Sequence, residues 1–141
     1  MRGNRNRTAR TLFVTAATLV AVWTSGPGES QTEQVVEVVI KNFTYVTNQK
    51  PLRLGVPTTI KVVNEDSERH DFGSTMFDGI PTKIEKDGMS VYGRGLAGVL
   101  LDAQRDAVIR FNMERPGRHE FRCSIHSNMK GELLLLSVEA A

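Results

Sequence analysis

From Val35 onward, apolar positions recur with period two or in short continuous runs rich in valine and isoleucine, and Gly, Pro and Asn bound the runs. In an extended chain that periodicity sends alternate side chains to opposite faces, so it predicts β-strands. Strands are expected over residues 35–41, 58–64, 107–112, 118–123 and 131–138, the last with four consecutive leucines from Leu133 to Leu136. Gly55 and Pro57 punctuate the approach to the second, and Pro116-Gly117 turns the chain into the fourth. Short strands at this spacing argue for an all-β sandwich. Residues 79–106 break the pattern: they hold Gly88, Gly93, Gly95 and Gly98 with little alternation, and read as a long loop with a helical turn. A loop of that length inside a compact domain is either functional or a mistaken assignment.

The first thirty residues follow another rule. Arg2, Arg5, Arg7 and Arg10 precede residues 12–23 (LFVTAATLVAVW), which are apolar apart from two threonines, and Gly, Ser and Pro follow. A positive start, a short apolar helix and then small residues is the order of a secretory signal peptide. The helix is too short to span a bilayer, since 12 residues cover only ~18 Å of a ~30 Å hydrocarbon core. Thr24 and Gly26, or Gly28 and Ser30, offer small residues before a cut. The expectation is an exported domain, periplasmic or extracellular, over residues 31–141. If the leader is retained, it tethers that domain to the membrane.

Charge changes the picture once the leader is set apart. Four of the 18 basic residues and one of the 16 acidic residues (Glu29) precede residue 31, which leaves 14 basic and 15 acidic residues. The net charge of +2 therefore belongs to the leader. No basic stripe remains to bind nucleic acid. A length of 141 residues with 40% apolar and 24% charged positions suits one ordinary globular domain. The single cysteine, Cys123, excludes an internal disulfide, a Cys-x-x-Cys redox pair and a binuclear copper centre with two bridging thiolates.

That cysteine begins the run C-S-I-H-S-N-M, so Cys123, His126 and Met129 lie within seven residues, between two expected strands. A tight loop on a rigid sandwich can aim three side chains at one point. Thiolate, imidazole and thioether are soft or borderline donors that suit copper better than calcium or magnesium. A second imidazole would complete a trigonal His2Cys plane with a weak axial Met, and His70 supplies it from V-N-E-D-S-E-R-H-D-F. Taken singly, Cys123 would be a small buried hydrophobe and Met129 core filler. As a set they match a metal site. His119 shares a strand face with Phe121 and Cys123 and is read as structural. Met76, Met89 and Met113 lack ligand spacing and are read as packing or loop residues. Glu65, Asp66 and Glu68 read as a solvated turn, and Asn42-Phe43-Thr44 as a glycosylation sequon of no consequence unless the host glycosylates.

The C-x-x-H-x-x-M-x-G spacing closed by Gly131, with N-x-D-x-x-x-H-x-F upstream (Asn64, Asp66, His70, Phe72), resembles the cupredoxins, the type 1 blue copper proteins. It is most similar to the small members of the amicyanin and pseudoazurin kind. The resemblance covers residues 33–138 and implies a Greek-key β-sandwich with one copper ion. It makes His70, Cys123 and His126 the equatorial ligands and Met129 the axial one. It further implies a hydrogen bond from the Asp71 N–H to the Cys123 sulfur, and one between Ser124 and Asp71. The segment between His70 and Cys123 is longer than in amicyanin, with the excess in 79–106. His119 stands four positions before the cysteine, where many members have tyrosine.

Four protein donors leave no open position for substrate, unlike a catalytic metal site. The expected function is single-electron transfer between redox protein partners by Cu(I)/Cu(II) cycling, in a monomer that is not an enzyme. The His126 ring edge would pass the electron, with Gly73 and Pro81 around it. The alternative is a copper-binding or copper-delivery protein, since the same donors hold Cu(I) well.

Overall fold

The computed structural model describes residues 32–47 and 50–136. The leader with its expected signal helix, and the final two residues of the last expected strand, lie outside the described residues. Within them the chain is built from eleven strands: β1 Gln34–Lys41, β2 Thr44–Thr47, β3 Leu52–Arg53, β4 Pro57–Asn64, β5 His70–Gly73, β6 Pro81–Lys86, β7 Met89–Arg94, β8 Gly98–Leu101, β9 Asp106–Asn112, β10 Gly117–Arg122 and β11 Lys130–Leu136. A single 3-10 turn, Thr75–Phe77, interrupts them. One sheet runs β2-β1-β4-β9-β6-β7 and the other β3-β11-β10-β5-β8. The chain passes repeatedly between the sheets, as a Greek-key sandwich does. No helix among the described residues is long and apolar enough to cross a membrane.

The period-two pattern explains which faces meet. Val36, Val38 and Ile40 of β1, Ile60 and Val62 of β4, and Ala107, Ile109 and Phe111 of β9 point inward from the first sheet. From the second come Phe72, Val99, Leu101, Phe121, Leu133 and Leu135. The leucine run is thus resolved by alternation: Leu133 and Leu135 are buried, while Leu134 is only half-buried. Each such Val, Ile, Leu or Phe side chain taken from water contributes ~1.5–3 kcal/mol. An aromatic layer runs through this core, with Phe72 4.8 Å from Phe121, Phe77 5.3 Å from Phe111 and Tyr45 5.1 Å from Phe121 between ring centroids.

The long loop expected over 79–106 is not a loop. It contains β6, β7 and β8, and β6 and β7 form an antiparallel hairpin whose inner strand joins β9. The hairpin turns at Asp87-Gly88, both with positive φ (50° and 76°), the Asp-Gly signature of a tight two-residue turn. That dipeptide was the available signal. Alternation hid the hairpin because β7 sits at the sheet edge with nearly every residue exposed, so it needs no apolar face.

Phe121 lies directly opposite Gly131 in the β10–β11 ladder, with its ring over the glycine. A Cβ at Gly131 would stand 2.6 Å from Phe121 Cε2. Gly131→Ala must therefore push the ring out of the aromatic layer. The expected cost is about 1–3 kcal/mol of stability, as for other overpacked cores, read by chemical denaturation; an unchanged midpoint would show that the ring is free to move.

Candidate metal centre

β5 and β10 are paired at one position only, Gly73 with Arg122. Beyond that rung the strands part, and the opening holds His70 at the start of β5 and Cys123 just after β10. Alternation turns His70 and Phe72 inward on one strand and Phe121 and Cys123 inward on the other, so the two candidate ligands stand on the aromatic layer. The loop from Cys123 to Met129 is closed by two backbone bonds: Met129 N–H to His126 O at 3.0 Å, and Cys123 N–H to Met129 O at 3.1 Å. This tight closure returns His126 over Cys123.

His70, Cys123 and His126 offer ligand atoms that all lie within 4.8 Å of one another, a group able to hold a metal ion. The two Nδ1 atoms are 3.1 Å apart, and Cys123 Sγ is 3.6 Å from His126 Nδ1. His70 is fully buried, Cys123 nearly so, and His126 is partly exposed. Met129 is buried at the far end of the same loop.

The surrounding residues fix the donors. His70 Nε2–H donates to Asp66 Oδ2 at 3.0 Å. That bond sets the tautomer and leaves the Nδ1 lone pair facing the cluster. Burial pushes the Asp66 carboxyl up, but hydrogen bonds from the Phe43 and Asn42 N–H groups and from His70 outweigh it and hold it below the usual carboxylate range. Asp66 is therefore an ionised acceptor rather than part of a solvated turn; the expectation drawn from its acidic neighbours is corrected here. Asn64 shapes the same turn from inside, donating to Glu68 O at 2.8 Å and Asp102 O at 3.0 Å and accepting from Asp66 N–H. On the other side, the Asp71 N–H points at Cys123 Sγ at 3.5 Å. The Asp71 carboxylate accepts from Ser124 N–H at 2.6 Å and from the Ser124 hydroxyl, and its carbonyl accepts from the Tyr45 hydroxyl. Burial, reinforced by the Cys123 and Asp71 charges, pushes the Tyr45 phenol up, so it stays a donor.

Both hydrogen bonds that the resemblance implied around Asp71 are thus present. His119 binds the Arg115 carbonyl through Nε2 at 3.2 Å, a structural role. Met76 and Met113 are core residues and Met89 is exposed on β7. Pro81, expected beside His126, instead opens β6 opposite Arg94. Phe43 does stand beside His126, its ring T-shaped to the imidazole at 5.1 Å. Sequence reasoning missed Phe43; the only signal was a tight turn whose second central residue is not glycine.

No protein-family model matches the chain. No characterised protein sequence matches it either. Among solved structures, the chain is similar to the multicopper oxidase McoA of the hyperthermophile Aquifex aeolicus, at 13% identity and a TM-score of 0.54 over 79% of this chain and 31% of the oxidase. It is similar also to a multicopper oxidase of Campylobacter jejuni, at 17% identity and a TM-score of 0.51 over 77% of this chain and 31% of the oxidase. The chain thus spans about a third of each oxidase. Amicyanin of Paracoccus versutus aligns at 19% identity and a TM-score of 0.47 over 79% of this chain and 86% of amicyanin. The fold is the cupredoxin-like β-sandwich.

Asp71→Ala removes the carboxylate that fastens Ser124 to β5. The expected loss is about 1.5 kcal/mol, the low end for hydrogen bonds to a charged group because this one is only half-buried. Urea unfolding checks it, and a loss near zero would mean that the backbone closure alone fixes the loop.

Proposed function

We propose that the protein carries single electrons between redox protein partners through one copper ion held by His70, Cys123, His126 and Met129. The observation that carries this reading is the convergence of two imidazole Nδ1 atoms and one thiol sulfur within 4.8 Å, with His70 and Cys123 each held by a neighbouring hydrogen bond. Sulfur with two imidazoles, and a buried thioether on the same loop, is a donor set for copper rather than for a hard cation. Bound copper supplies a one-electron couple between Cu(I) and Cu(II).

The chain's own residues account for the rest. Cys123 binds as thiolate, and the Asp71 N–H steadies negative charge on its sulfur. Asp66 keeps His70 in one tautomer and one orientation. The buried ligands His70 and Cys123 exclude water, while the partly exposed His126 gives an electron a short way out to a partner. Four protein donors leave no position for substrate, which favours a carrier over an enzyme. The Arg-rich leader favours work outside the cytoplasm.

Copper delivery uses the same donors but needs ligands that an acceptor can reach, and here two of the three converging donors are buried. Voltammetry of the copper-loaded protein in the presence of a Cu(I) chelator separates the two readings. A carrier gives a reversible one-electron wave and retains its copper through repeated cycles. Irreversible reduction, with copper passing to the chelator, would contradict the proposal and favour delivery.

A further inference from the structure

Asn42 and Phe43 are adjacent and both have positive φ, 52° and 58°. They are the two central residues of the turn between β1 and β2. Such a turn takes Asn readily at its first central position and strongly favours Gly at its second. A bulky aromatic there is an outlier that its surroundings must hold in place, and held outliers gather at functional sites.

The hold is Asp66. Its carboxylate accepts the Asn42 N–H at 2.6 Å through Oδ1 and the Phe43 N–H at 2.9 Å through Oδ2. Oδ2 also takes His70 Nε2–H. One carboxylate therefore sets the turn and the His70 ring in a common frame. The Phe43 ring stands T-shaped against both histidines, 5.2 Å from His70 and 5.1 Å from His126 between centroids, with interplanar angles of 89° and 85°. Half of Phe43 faces solvent. Glycine would suit the backbone better, so the side chain is retained for what its ring touches, and it touches the two histidines.

The geometry points to Phe43 as a cap on the metal centre, shielding the His70 and His126 rings from water and small anions, with Asp66 as the positioning residue that holds cap and ligand together. For the loaded protein this rests on the copper reading above; for the metal-free protein it does not. Phe43→Gly tests it, because glycine suits the turn and the variant is expected to fold. In the metal-free protein, loss of the aromatic ring current should move the His70 and His126 ring-proton NMR signals toward the positions of exposed histidines. In the copper-loaded protein, azide should leave the wild-type visible spectrum unchanged and alter that of Phe43→Gly, while Phe43→Tyr should behave as wild type in both measurements. Histidine signals that do not move in Phe43→Gly would overturn the cap, as would equal azide response in wild type and variant. A protein that took up no copper yet showed the histidine shifts would contradict the carrier reading and leave the cap supported.

Discussion

Asp71 spans the gap that the fold opens for the site. β5 and β10 share a single ladder pair, so no backbone ladder ties His70 to the Cys123 loop. Asp71 substitutes for one with two groups, its N–H on the Cys123 sulfur and its carboxylate on Ser124, while its carbonyl accepts from the Tyr45 hydroxyl of β2. Parted strands alone would leave the ligand loop free to swing. With Asp71 bridging them, the loop is fastened at its base, and the short closure from Cys123 to Met129 aims the remaining donors. A site assembled this way is held by hydrogen bonds over a packed aromatic floor, and these place His70 and Cys123 without help from an ion.

Such preorganisation matters for electron transfer, because a centre that moves little between oxidation states reorganises little. The burial pattern fits the electron-transfer role proposed above, with the candidate ligands His70 and Cys123 closed off and His126 partly exposed. Asp66 performs for His70 what Asp71 performs for Cys123. Each acidic residue anchors one ligand segment and reaches across to a second element, the β1–β2 turn in one case and the ligand loop in the other.

Much of this was legible in the sequence. The five expected strands correspond to β1, β4, β9, β10 and β11: β1 and β9 alternate buried and exposed positions, β4 is a continuous β-branched run, β11 carries the leucine run, and β10 follows the Pro116-Gly117 turn. The short strands β2, β3 and β5 offer too few positions for a period to register, and β7 is exposed on nearly every residue. The three converging donors were visible because donor chemistry and spacing are local properties of the chain. What Asp66 and Phe43 do was not. Their roles arise from a turn folded 23 residues away in sequence, and neither an acidic cluster nor a sequon reports which backbone it will meet.

The proposed function stands or falls with Cys123 binding copper as a thiolate beside two imidazoles. The most direct test is the visible spectrum of the protein after addition of Cu(II), alongside Cys123→Ser. The expected result is an intense blue or green thiolate-to-copper absorption that bleaches with ascorbate and is lost in the variant. A colourless protein, or colour that survives the loss of the thiol, would contradict it.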